Sequence, residues 1–172
     1  VATLGTVEGG IADETTPVKL EEMVGPYKRS KYLGEEAVRA LAAEGLPVVI
    51  VNPSAPVGPR DVKPTPTGRM IVEAASGKMP AYVDTGLNIV HVDDVGRGHL
   101  LAHDKGVIGE RYVLGGENLT LAEILARVAA IVGRKPPKIK LPIALVLPIA
   151  YAAEAAARIT GREPFVTVDG VK

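Results

Sequence analysis

The chain has no cysteine and no tryptophan, only one phenylalanine and five tyrosines among 172 residues, and no excess of either charge, since its twenty basic and twenty acidic side chains cancel. Without cysteine there can be neither a disulfide framework nor a thiolate metal site, and a reducing cytosol is compatible with the composition. Charge balance removes the broad electrostatic ground for a nucleic-acid or anionic-membrane partner and favours a small-molecule ligand. The one basic cluster, "GRKPPKIK" at 133–140, has no interleaved aromatic side chains and reads as a solvated loop. The first residues lack the basic region and long apolar run of a secretory signal. The longest apolar run, Leu141 to Ala153, would reach roughly 20 Å as a helix, short of a ~30 Å hydrocarbon core, and Pro148 interrupts it. A buried helix is expected there and no transmembrane span, with a cytoplasmic setting at most peripheral to a membrane.

What is present is α/β in pattern. A strand-like "VATLG" opens the chain and a long polar loop follows to about residue 25. Leu33, Ala37, Val38 and Leu41 recur at helical spacing from about Pro26 to Glu44, and Gly45 closes the helix. "PVVIVN" at 47–52 then reads as a parallel strand covered on both sides, completing a βαβ crossover. "PSAPVGPRDVKPTPTG" leaves it as a stiff proline-rich loop at a strand's carboxyl end, where open α/β sheets bind ligands. Further on the pattern predicts a helix over 68–76, strands at 81–84 and 88–92, a helix from Asp93 to His103 capped by Asp93 or Asp94, and a strand at 111–116. An amphipathic helix runs from its cap Thr120 to its stop Gly133, a short strand follows at 138–142, and a helix kinked at Pro148 covers 141–160. The opening with Val and the close on "FVTVDGVK" read as an internal piece of a longer protein.

Tyr27 and Lys31 stand four apart and therefore share a helix face. An ammonium about 5 Å from a developing phenolate favours it by roughly 3 kcal/mol at an effective dielectric of ~20. The helix N-terminus adds to the same effect. A tyrosine so placed can trade a proton near neutral pH. The same spacing also suits a lysine stem packed over a ring with no chemistry, but the pair follows a long loop and leads into a buried strand with a ligand-end loop.

"YKRSK" resembles the Tyr-x-x-x-Lys signature of the short-chain dehydrogenase/reductases, and further blocks resemble their extended branch, the NAD-dependent epimerases and dehydratases. "VATLG" is similar to the end of that branch's catalytic-serine strand, "NPSAPVGP" to its proline-bearing loop, and "NIVHVDDVGRGHLLA" to its His-x-x-Asp block. "GERYVLGGENLTLAEILARVAAIVGRKPP" is similar to its following strand and helix, so nearly the whole chain is covered. The blocks most resemble hopanoid-associated sugar epimerases and dihydroflavonol 4-reductase-like proteins. The resemblance implies the C-terminal part of a Rossmann-type parallel sheet in residues 1–60, and a smaller mixed α/β substrate domain in 61–172, with about 88–116 returning to the Rossmann domain. It implies NAD or NADP as cofactor, Tyr27 as proton donor and acceptor, and Lys31 as its partner and a ligand of the nicotinamide ribose. Pro53, Ser54, Ala55 and Val57 would line the nicotinamide pocket, and a catalytic serine would precede Val1. A homodimer through the Tyr27 helix is a further expectation.

The glycine-rich dinucleotide fingerprint is absent: "VGRGHLL" carries two of its glycines but follows a His-Val-Asp-Asp turn. Such a piece would expose a sheet edge and bind cofactor weakly by itself. Nucleotide-sugar epimerases of the branch usually carry Asn where Ala55 stands and Arg where Leu87 stands, and an apolar pair cannot receive charged oxygens. The readings left open are a sugar or polyol epimerase, a dihydroflavonol or cinnamoyl-CoA type carbonyl reductase, and a non-catalytic nicotinamide sensor. His99 and His103 have the spacing of a helical metal pair, but no catalytic Glu stands between them, and no metal is expected.

Overall fold

The structure, a computed structural model, describes residues 3–7 and 9–160. In chain order its elements are α1 (Gly25–Ala43), β1 (Ile50–Pro53), β2 (Ala55–Val57), α2 (Pro66–Ala75), β3 (Ala81–Val83), β4 (Gly86–His91), α3 (Val92–Lys105), β5 (Arg111–Leu114), β6 (Glu117–Thr120), α4 (Leu121–Ile131), β7 (Ile139–Leu141) and α5 (Ile143–Thr160). The chain forms two compact units, Val1–Pro59 with Ile89–Glu117, and Arg60–Asn88 with Asn118–Lys172.

In the first unit β1 and β5 pair in parallel, with Ile50 opposite Arg111 and Pro53 opposite Leu114. Ala55–Val57 of β2 pair in parallel with Ile89–His91 of β4. Helix α3 packs on β1, β2 and β5, so one face of these strands is covered and Val90 and Ala102 are buried. Gly106 closes against Val49 at the end of that helix, where a larger residue would strike the valine methyls. Helix α1 ends in a six-residue capping turn: Gly45 adopts φ +104°, its N–H donates to Ala42 O, and Leu46 N–H donates to Leu41 O. The chain reaches β1 within six residues of that cap.

The second unit is built around α4, whose Leu121, Ile124, Leu125 and Ala129 are buried at helical spacing against α2 and β3. Thr120 caps it as predicted: its hydroxyl accepts from Glu123 N–H at 3.2 Å while Glu123 Oε2 accepts from Thr120 N–H at 2.8 Å. Gly133, in the left-handed region at φ +67°, ends it. Strands β3 and β7 pair in parallel, and Lys140 Nζ reaches Asp84 at 2.8 Å.

Several expectations change. Thr3 and Leu4 of "VATLG" form a turn and a bend, Gly5 has no regular structure, and Val1 and Ala2 lie outside the described residues. Ala55–Val57, expected within a loop, form β2; it is an edge strand, the place in a sheet where a proline such as Pro56 is tolerated. β6, unforeseen as a strand, has no apolar alternation, being Glu-Asn-Leu-Thr with three of four residues exposed. α3 is capped by His91, whose Nδ1 accepts from Asp93 N–H at 3.2 Å; because the helix begins at Val92, Asp93 and Asp94 are already inside its first turn, where the dipole favours them. α5 contains Pro148 and buries only one side, Ala150 and Ala153, while Leu145, Ile149 and Tyr151 are exposed. Among the described residues no helix is long and apolar enough to cross a membrane.

Candidate active site

Helix α1 starts at Gly25, which takes φ +79°, with Pro26 in its first turn and no side-chain cap from Val24. Tyr27 is therefore in the first turn and Lys31 one turn further. The Lys31 ammonium lies over the Tyr27 ring, 5.5 Å from its centroid, a cation–π arrangement. Tyr27 is 63% exposed, so the ring and its hydroxyl are open to an incoming molecule. Ser30 Oγ donates to Tyr27 O at 2.8 Å, bonding the helix's first turn to itself.

Pro53, Ser54, Ala55 and Val57 form the β1–β2 corner in the same unit. Ser54 N–H donates to Leu114 O at 3.1 Å, which carries the β1–β5 pairing one residue beyond the strand. Its hydroxyl oxygen is buried and has no hydrogen-bond partner. Among groups this small, an unpaired buried hydroxyl costs about 1–3 kcal/mol.

Between these two sets lies a polar cluster that the sequence reading did not single out. Glu35, one turn after Lys31, meets Arg111 of β5 at 3.1 Å, and both side chains are nearly buried. Asn52 of β1 donates from Nδ2 to Glu35 Oε2 at 3.2 Å and to Thr3 Oγ1 at 3.3 Å. Arg39 reaches Glu35 from the next turn at 3.4 Å. Arg111 also donates to the carbonyl of Glu14 at 2.6 and 2.9 Å and to that of Thr16 at 3.4 Å. Glu14 Oε1 accepts from Val113 N–H at 2.7 Å. Burial pushes the Glu35 carboxyl up, but hydrogen bonds from Thr3 and Asn52 and the charge and hydrogen bond of Arg111 outweigh it, so its pKa falls below the ordinary carboxylate range. A cavity of about 230 Å³ opens beside the cluster, lined in part by Thr16, Tyr32 and Glu36. One signal pointed this way, an asparagine ending an otherwise apolar strand; Glu35 was hidden because the apolar spacing set Leu33, Ala37 and Leu41 inward, and the structure leaves all three exposed.

Outside the first unit, Leu87 and Asn88 line an open depression of about 410 Å³, where Asn88 Nδ2 donates to Asn118 Oδ1 at 2.7 Å. His99 Nδ1 lies 2.8 Å from Val95 O, and His103 Nδ1 3.0 Å from Asp104. Asp94 pairs with Arg97 at 3.0 Å. Among the described residues no group of three His, Cys, Asp or Glu side chains could hold a metal ion.

The family model for the NAD dependent epimerase/dehydratase family matches residues 1–115. A provisionally named dihydroflavonol 4-reductase of Synechocystis sp. is 45% identical over 177 residues, which take in 100% of this chain and 52% of the relative. Among solved structures, that of gox2253 superposes with a TM-score of 0.82 at 54% identity, over 99% of this chain and 52% of the other. PA4631 of Pseudomonas aeruginosa, described as a nucleoside-diphosphate-sugar epimerase, gives 0.77 at 32% identity, over 98% and 55%. The chain spans about half the length of the curated relatives it matches. Its mixed α/β fold with parallel strand pairs is that of their Rossmann-type structures. The chain belongs to the NAD dependent epimerase/dehydratase family.

Proposed function

We propose that the protein carrying this chain is an NAD(P)-dependent oxidoreductase or epimerase acting on a hydroxyl- or keto-bearing carbon of a sugar-like or polyol substrate, with Tyr27 and Lys31 as its catalytic pair. The observation that carries this is the Lys31 ammonium 5.5 Å over the ring of an open Tyr27 at the start of a helix. When bound, the nicotinamide supplies and accepts the hydride. Tyr27 gives a proton to the substrate oxygen as a carbonyl is reduced and takes one from the hydroxyl as it is oxidised. Lys31 stabilises the phenolate between those events. The first unit is read as the C-terminal portion of the dinucleotide-binding domain, and residues 61–172, less about 88–116, as the substrate domain.

A nicotinamide dinucleotide, NAD or NADP, fits the residues present. Ser54 stands at the carboxyl end of β1, and its hydroxyl, buried and without a partner, would turn outward to meet a cofactor amide or ribose. Pro53, Ala55 and Val57 flank it with apolar surface at the end of a parallel strand. Lys31 would add a ribose contact.

A one-way carbonyl reductase, of the dihydroflavonol or cinnamoyl-CoA type, is the second reading. Ala55 and Leu87 favour it over a nucleotide-diphosphate-sugar substrate, because neither can pair with diphosphate oxygens. A cytoplasmic homodimer associating through α1, touching membranes at most peripherally, completes the proposal, and the hopanoid resemblance supports a substrate near lipid metabolism. In the full-length protein, Tyr27→Phe should abolish turnover and leave cofactor affinity intact; unchanged turnover would defeat the assignment. Steady-state oxidation of NADPH with a carbonyl substrate would select the reductase over the epimerase.

A further inference from the structure

We infer that Glu35 and Arg111 are positioning residues for the reaction, holding the Tyr27–Lys31 helix in a fixed rotation against the β1–β2 corner. This rests on the catalytic reading of Tyr27 and Lys31. None of the residues of α1 is fully buried, so no deep apolar side chain fixes how the helix is turned. Its half-buried positions after Gly25, namely Lys28, Tyr32, Glu35, Val38, Arg39 and Ala42, form one stripe, and Glu35 lies at its centre.

The Glu35 carboxylate uses both oxygens. Oε1 receives Arg111 at 3.1 Å and Oε2 receives Asn52 at 3.2 Å. Apolar packing tolerates a few degrees of helix roll, whereas two directional charge-assisted bonds to different strands do not. Lys31 is one turn before Glu35 and Tyr27 one turn before that, so a roll at Glu35 is carried directly to both. At the other end, Asn52 immediately precedes Pro53 and Ser54. One carboxylate thus joins the helix of the proton-transfer pair to the strand leading into the proposed cofactor corner.

Arg111 extends the hold to the loop before α1. It donates to the carbonyls of Glu14 and Thr16, and Glu14 Oε1 accepts from the Val113 N–H of the same strand. The segment that delivers the chain to Tyr27 is thereby fastened at the same guanidinium. A neutral, well-packed pair could stabilise this place as well, so the ion pair's distinct contribution is geometry.

The test uses the full-length protein with Glu35→Gln, Arg111→Lys, Arg111→Met and the double variant Glu35→Gln/Arg111→Met. Each is followed by kcat, KM, nicotinamide dinucleotide affinity, the pH profile of kcat/KM, and melting temperature. Glu35→Gln and Arg111→Met should lower kcat about 10- to 100-fold, the loss expected for displacement of about 1 Å at the reacting groups, and should move the basic limb of the pH profile. Arg111→Lys should recover part of kcat. Leu125→Ala, a cavity in the second unit, should lower the melting temperature while leaving the pH profile in place. If Glu35→Gln does not fold, the double variant, which leaves no unpaired buried charge, carries the same comparison. Wild-type kcat and pH profile in a folded variant, with only melting temperature reduced, would overturn the inference. Should Tyr27→Phe retain turnover, the catalytic reading itself falls; should it be inactive while the Glu35 variants turn over normally, only the positioning role falls.

Discussion

Arg111 closes on Glu35 at 3.1 Å with no more than a tenth of either side chain exposed, and the same guanidinium gathers the carbonyl oxygens of Glu14 and Thr16. Removing one partner of a buried pair leaves the other charge uncompensated, at a cost of about 3–5 kcal/mol. Arg111→Met should lower unfolding free energy by less than that in urea denaturation of the full-length protein, because Arg39 still reaches Glu35 at 3.4 Å, and Glu35→Gln/Arg111→Met should recover a good part of the loss. Equal losses in the single and double variants would show that the pair is not coupled.

The same carboxylate sets an acid limit. Glu35 is held below the ordinary carboxylate range in the folded chain, so its stabilising contribution is complete above the unfolded value of about 4.3 and disappears as pH falls through the lower folded value. Asp13, lowered by the Thr15 hydroxyl and N–H, acts in the same window. The difference in stability between wild type and Glu35→Gln isolates the first group: it should be largest near neutrality and shrink below about pH 4.3. A difference that stays constant down to pH 3 would contradict the depressed carboxyl.

Two glycines should answer alanine substitution with opposite signs. Gly96 lies inside α3 with nothing within 4 Å of an added Cβ, so Gly96→Ala should stabilise by about 0.5–1 kcal/mol through helix propensity. Gly45 takes φ +104° in the turn that ends α1, and Gly45→Ala should destabilise by about 1 kcal/mol or more. Thermal unfolding of the two variants beside wild type gives both signs.

At the start of α4, Thr120→Ala removes the hydroxyl that accepts from Glu123 N–H and leaves the reciprocal Glu123 bond to the Thr120 N–H. The expected loss is about 1 kcal/mol. Hydrogen exchange should quicken at the Glu123 amide.

Local chemistry made much of this legible beforehand. The Thr120 cap, the Gly45 and Gly133 stops and the amphipathic α4 follow from side-chain hydrogen bonding, positive φ and apolar spacing, all properties of neighbouring residues. The Tyr27–Lys31 pairing was likewise visible as a spacing of four. What escaped depends on distant segments. β6 exists because Glu117–Thr120 find a neighbour in β4, with no apolar alternation to announce them. Arg111 meets a carboxylate 76 positions earlier, and no window along the sequence joins the two. His91 took the cap of α3 because the helix starts one residue earlier than its aspartates suggested. Ser54's orphan hydroxyl is a property of burial, which an isolated Ser in a proline-rich stretch does not disclose.

Nearly two thirds of Tyr27 is left uncovered by the described residues. In that setting water screens the field of the neighbouring Lys31 ammonium. Under the proposed function, whatever settles over the ring would also serve as its roof, so that arrival of the guest, expulsion of solvent and sharpening of the ammonium's field would be a single event.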